Sequence, residues 1–189
     1  MVKTSSMIDN ILSIREADNN FVSEAQLVSI YQNTVYRYCL NLTFCKEDAD
    51  DLFQDTYIRA FSVIDKIMAF ENPQSFLLSI ATSLWKSRKR KFARRRRIAP
   101  EVDFDEAYIG EAASLEDDVI ANEEKLIVRE LVSELPDKLK VTIVMYYTIE
   151  MSISDISETL GLPIGTVKSH LSRGRGIIRK GLIKIYGND

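Results

Sequence analysis

Ser152-Ile-Ser-Asp-Ile-Ser-Glu-Thr-Leu-Gly161-Leu-Pro-Ile-Gly-Thr166-Val-Lys-Ser-His-Leu-Ser-Arg173 is the stretch that decides the fold. Ser152 is a good N-cap, and Ile153, Ile156 and Leu160 recur at helical spacing. Gly161 supplies the left-handed residue that stops this helix, and Pro163 helps to start the next. Val167, Leu171, Ile178, Leu182 and Ile185 give the second helix a buried stripe, which turns Lys168, Ser169, Ser172 and Arg173 outward. A short turn followed by a helix that is basic on its outer side suits the major groove of DNA.

A plain αα-hairpin in a helical bundle satisfies the same periodicity, so charge has to decide. From Gly161 to Asn188 the six charged residues, Lys168, Arg173, Arg175, Arg179, Lys180 and Lys184, are all basic. A solvated face ordinarily mixes signs. The chain as a whole has a net charge of -3, but that mean hides segregation of sign, and a phosphate backbone responds to local charge.

The 189 residues, 46% hydrophobic, allow one or two ordinary helical cores. A first helix from Glu24 to about Thr43 is marked by Leu27, Val28, Tyr31, Val35, Tyr38, Cys39 and Leu42. Residues 1–22 read equally as a frayed helix or as a tail that orders on binding. A second helix from near Lys46 to about Ile67 has acidic first turns. Its inner side carries Ala49, Leu52, Phe53, Thr56, Ala60, Val63 and Ile64. Asp51, Gln54, Asp55, Arg59 and Ser62 fall on its outer side, and Ile58 lands among them as an apolar residue on a charged face. A protein partner explains that placement, although single exposed apolar residues are ordinary.

Asn72-Pro73 caps and opens a third long helix with Phe76, Leu77, Ile80, Ala81 and Leu84 inside. Its end, Lys86 to Arg97, holds nine basic residues in twelve, a density that needs an anionic partner. Nucleic acid fits, with Trp85 and Phe92 as stacking surfaces. From Glu101 to Glu124 there are ten acids and no base, with Pro100 and Gly110 as breakers, so this reads as a linker. The expected organisation is all-α: a first domain over 1–97, a flexible acidic linker over 98–121, and a second domain over 122–189. In that second domain one helix runs from about Asn122 to Leu135 through Leu126, Ile127 and Leu131. Pro136 opens another with Leu139, Ile143, Val144 and Tyr147.

Cys39 and Cys45 read as buried thiols without metal-ligand spacing, and a reducing cytoplasm follows from the lack of a disulfide framework or leader. With a single histidine, no phosphate loop and no nucleophile elbow, neither catalysis, a cofactor nor a metal is expected.

Taken in order, these segments resemble the bacterial RNA polymerase sigma factors of the extracytoplasmic-function (ECF) group. Glu47 to Phe61 is similar to the family's polymerase-binding helix, and Phe76 to Ala81 to its promoter-melting helix. Leu135-Pro136, Ile153 to Gly161, Gly165 to Ser169 and Arg173 resemble its promoter-reading domain. The resemblance implies that Asp51, Gln54, Asp55, Ile58 and Arg59 dock on the clamp helices of core RNA polymerase. It implies that Phe70, Glu71, Asn72, Ser83, Lys86, Arg88, Lys89 and Arg90 serve the −10 element. Arg94 to Arg97 then serve either duplex phosphates or only the linker. At the −35 element Lys168, Ser169, Ser172 and Arg173 are base-edge candidates, whereas Thr166, Arg175 and Arg179 suit phosphates. Further partners implied are promoter DNA and an anti-sigma factor, commonly membrane-anchored.

Four positions depart from the family pattern: Ser83 for asparagine, Phe76 for tryptophan, His170 for arginine and Gly174 for alanine. The rivals are an autonomous dimeric helix-turn-helix regulator and a protein-only adaptor. The first leaves the face of the second helix unexplained, and the second leaves both basic segments without a partner.

Overall fold

The computed structural model describes residues 21–68, 72–98 and 119–187, and among them all regular structure is α-helical. The expected readings of residues 1–20, of most of the acidic linker, and of Phe70 and Glu71 fall outside these residues. Helices α1 (Phe21–Thr43), α2 (Lys46–Phe61), α3 (Ile64–Met68) and α4 (Pro73–Ile98) form a first unit. A second unit comprises α5 (Val119–Ser133), α6 (Asp137–Tyr147), α7 (Ile153–Leu160) and α8 (Ile164–Tyr186).

In the first unit, Tyr38, Leu42, Leu52, Phe53, Tyr57 and Leu77 are among the fully buried side chains. Phe53 sits at the centre of an aromatic row, its ring 5.6 Å from Tyr36 and 4.9 Å from Tyr57. The single helix expected to run to Ile67 is in fact two. Ser62 donates its hydroxyl to the carbonyl of Arg59, and Val63 donates its N–H to Ala60, so the last turn tightens and the ladder ends. The chain restarts as α3, which buries Ile64 and Ile67.

Local chemistry builds the helix-turn-helix. Ser152 Oγ accepts from the Asp155 N–H at 3.1 Å and donates to the Asp155 carboxylate at 2.7 Å. At the other end of α7, Gly161 adopts φ 61. The N–H groups of Gly161 and Leu162 then satisfy the carbonyls of Glu158 and Ser157. Ile156, Val167 and Leu171 lock α7 against α8, and burying each is worth roughly 1.5–3 kcal/mol. Three residues assigned to buried stripes are exposed: Leu126, Tyr147 and Ile185. Ile185 lies near the end of α8, where burial has stopped; from Ile183 to Gly187 every residue is exposed. Cys39 is buried as expected, while Cys45 is only half-buried because it stands at the N-cap of α2 rather than inside a helix.

Two glycines only four residues apart call for opposite behaviour. At Gly161 the backbone is left-handed and a Cβ meets nothing within 4 Å, so Gly161→Ala should cost about 1–2 kcal/mol of backbone strain alone. Gly165 lies in the first turn of α8 with equally open surroundings, and Gly165→Ala should stabilise by about 0.5–1 kcal/mol. Urea unfolding of the two variants checks both signs.

Candidate nucleic-acid and partner interfaces

On α2, Asp51, Asp55, Ile58 and Arg59 are exposed and Gln54 is half-buried. Ala49, Leu52, Phe53, Thr56 and Ala60 are buried on the opposite side. The structure therefore brings all five candidates onto one outward face, with Ile58 56% exposed at its middle. Thr56 turns its hydroxyl back to the Leu52 carbonyl at 2.6 Å, which makes it harmless among apolar neighbours.

On α4, Asn72 caps the helix by accepting from the Ser75 N–H at 3.1 Å. Ser83, Lys89 and Arg90 are exposed, and Lys86 and Arg88 are half-buried. Arg88 pairs with Asp55 and Lys89 with Asp137. The first pair joins α2 to α4; the second joins the first unit to the second. Neither was visible as a local pattern. Trp85, expected as a base-stacking surface, is only 5% exposed and sits under Lys89 and Lys140. Phe92, in contrast, is exposed.

On α8, steps of about 100° per residue arrange the candidates in a ridge and two flanks. Ser169, Ser172 and Arg173 stand opposite buried Val167, Leu171 and Gly174. Lys168, Arg175 and Arg179 follow one flank and are all exposed. Thr166 and His170 follow the other and are half-buried. His170 Nδ1 lies 3.4 Å from Thr142 Oγ1. Burial, then the charges of Lys138, Arg173 and Lys86, hold its pKa below the ordinary histidine value, so it is neutral at pH 7. Arg175 and Arg179 also rim a groove of about 640 Å³ floored by Val132, Ile143, Val144 and Ile178, a feature not read from the sequence.

Among the described residues no group of His, Cys, Asp and Glu is placed to hold a metal, and no helix is long and apolar enough to cross a membrane. A capped helix-turn-helix with a basic ridge, joined to a unit that presents a mixed acidic and apolar face, is the arrangement of a DNA-binding transcription protein.

Comparison with known proteins narrows the class. Residues 27–96 match the family model for Sigma-70 region 2, and residues 125–177 that for Sigma-70, region 4. The ECF RNA polymerase sigma factor SigW of Bacillus subtilis (strain 168) is 32% identical over 164 residues, covering 84% of this chain and 88% of SigW. In fold, the chain resembles the sigma factor RpoE solved with the anti-sigma factor NepR from Bartonella quintana. There the TM-score is 0.70 at 22% identity, over 84% of this chain and 95% of RpoE. It also resembles CnrH solved with the cytosolic domain of CnrY, with a TM-score of 0.60 at 19% identity over 93% of this chain and 94% of CnrH. The chain belongs to the ECF sigma factors of the sigma-70 family, which direct RNA polymerase to promoters and perform no catalysis of their own.

Both side chains of the Asp55–Arg88 pair reach solvent, 36% exposed for Arg88 and 49% for Asp55. Exposed pairs contribute about 0–1 kcal/mol. Asp55→Asn should therefore shift the denaturation midpoint little, and a double-mutant cycle with Arg88→Ala should return a coupling under about 1 kcal/mol.

Proposed function

We propose that the outer face of α2 docks on the clamp helices of core RNA polymerase, that α4 and the loop before it hold the unpaired −10 bases and assist melting, and that α8 reads the −35 element. The observation that carries this reading is Ile58, an apolar side chain left 56% exposed at the centre of an otherwise charged face that holds Asp51, Asp55 and Arg59. An aliphatic anchor ringed by polar groups is how a protein interface is commonly built. Support for the −10 assignment comes from Ser83, Lys86, Lys89 and Arg90 standing on one helix with Phe92. Single-strand capture combines positive charge along a backbone with stacking surfaces, and of the two aromatics read as such, Trp85 and Phe92, the exposed one is Phe92. On α8 the central ridge of Ser169, Ser172 and Arg173 suits base edges, and the flank of Lys168, Arg175 and Arg179 suits phosphates. This moves Lys168 from the base-edge group to the phosphate group.

The protein then acts in the cytoplasm, where its polymerase is, and an anti-sigma factor holds it inactive, membrane-anchored in the family's common form. Support comes from the structure of RpoE cited above, which was solved with the anti-sigma factor NepR. The autonomous-regulator alternative predicts promoter binding without polymerase, and run-off transcription with and without bacterial core polymerase separates the two.

Two expected outcomes test the assignments. Ile58→Asp and Asp55→Lys should each weaken core binding while helical circular dichroism is unchanged, since neither side chain is buried; unchanged affinity for both would remove the clamp assignment. Across a −35 variant panel, Arg173→Ala should cost about 1–3 kcal/mol at one or two bases. Arg179→Ala should weaken all sequences alike and flatten the log-affinity against log-salt slope by about 0.9. The reverse pattern would overturn the register of α8 in the groove.

A further inference from the structure

The groove beside Arg175 and Arg179 has a floor that no surface described above uses. Its volume of about 640 Å³ falls within the roughly 300–1,000 Å³ of ordinary small-molecule sites. Val132 of α5, Ile143 and Val144 of α6 and Ile178 of α8 make that floor. At its mouth Val128 and Tyr147 leave apolar surface in water, 39% and 52% exposed. An apolar hollow of this size left wet favours a ligand that can dry it.

The rim carries one sign of charge. Lys125, Arg129, Arg175 and Arg179 line the groove, and no aspartate or glutamate does. Among the described residues no carboxylate pairs with any of the four. Arg129 is half-buried, and its Nη2 donates to the Phe44 carbonyl at 3.3 Å. Burial lowers its pKa below the ordinary arginine value, yet a guanidinium stays charged at pH 7. A partly desolvated guanidinium gains more from an anion than one in water, and its planar fork matches a carboxylate. A nucleotide would satisfy the rim, but its sugar and base would bring polar groups onto a floor of aliphatic side chains.

We propose that this groove binds a free long-chain fatty acid, its alkyl chain along the floor of Val132, Ile143, Val144 and Ile178 and its carboxylate among the rim guanidiniums. One single-chain molecule then meets both features, the dry floor and the unpaired cations. The consequence for transcription rests on the sigma-factor reading. Arg175 and Arg179 belong to the flank assigned to −35 phosphates, and a carboxylate held there neutralises charge that the DNA backbone would use. Fatty acid and −35 element therefore compete, and each weakens the other by the same factor.

The test titrates the full chain calorimetrically with octanoate, decanoate and laurate, each below its micelle concentration. Affinity should rise about two- to fourfold with each added methylene. Decanol, which has the tail of decanoate and no charge, should bind about tenfold more weakly or worse. Val128→Glu and Lys125→Glu alter side chains that are already exposed, so helical circular dichroism should be unchanged while laurate affinity falls about tenfold. No binding of laurate, equal binding of decanoate and decanol, or undiminished binding by both variants would each overturn the site. Binding to vesicles containing phosphatidylglycerol, with none of free laurate, would make this a membrane-facing surface and overturn it equally. In run-off transcription with core polymerase, laurate should lower output from a −35-dependent promoter with the parent chain and spare the Val128→Glu protein. Output changed alike for both chains, or for neither, overturns the competition. A parent chain that directs no transcription even without laurate counts against the sigma-factor reading instead.

Discussion

A single buried hydrogen bond sets the orientation on which both candidate surfaces of the first unit depend. The hydroxyls of Tyr38 on α1 and Thr82 on α4 meet at 2.6 Å across 44 residues of sequence, in a core where they are 0% and 4% exposed. Thr82 gives its own proton to the Leu78 carbonyl at 2.7 Å, so Tyr38 is the donor in the pair. An apolar core tolerates any roll of a helix that keeps its surface covered, but a buried hydroxyl left unpaired costs about 1–3 kcal/mol. That asymmetry fixes α4 with Leu77, Leu78, Ala81 and Trp85 inward and Ser83, Lys89 and Arg90 outward. A roll of about half a turn would exchange these sets.

What the sequence disclosed and what it concealed divide along contact distance. The helix-turn-helix was legible because Ser152, Gly161 and Pro163 act on backbone groups within a few residues. The outward face of α2 was legible because one helix period sorts it. By contrast, Asp55–Arg88, Lys89–Asp137 and the Lys140–Trp85 contact span 33, 48 and 55 residues and leave no periodic trace. Lys140 lies between Leu139 and Val141, both buried, and nothing local marks it as the lysine of α6 that goes inside. Trp85 was misassigned for the same reason: an aromatic at the head of a basic run looks like a stacking platform until another unit covers it.

The segregation of charge has its own logic. The first arginine of the basic run, Arg88, and the lysine after it are each met by a carboxylate from a different helix. From Arg90 to Arg95 the side chains are exposed. Positive charge is therefore partly neutralised where the helix is packed and left to solvent where it projects. Such exposed charge is screened beyond about 8–10 Å at physiological salt, so it acts on ligands that come close rather than on the fold.

The departures from the family pattern also separate by burial. Gly174 stands where alanine is usual, and a Cβ built there meets Ile143 Cγ1 at 2.8 Å. Since Ile143 is only 4% exposed, it has little room to yield. Glycine and isoleucine are thus a matched pair that lets α8 settle closely on α6, and the height at which Arg173 projects follows from that approach. His170 is likewise absorbed into the scaffold, half-buried against Thr142 and neutral. A neutral ring held on the flank does not replace the reach of an arginine, so the proposed −35 reading leaves that side to Thr166 and the central ridge. Ser83 is different: it is exposed on α4. Under the proposed −10 assignment, Ser83 is the one of these three departures that faces the DNA rather than the protein.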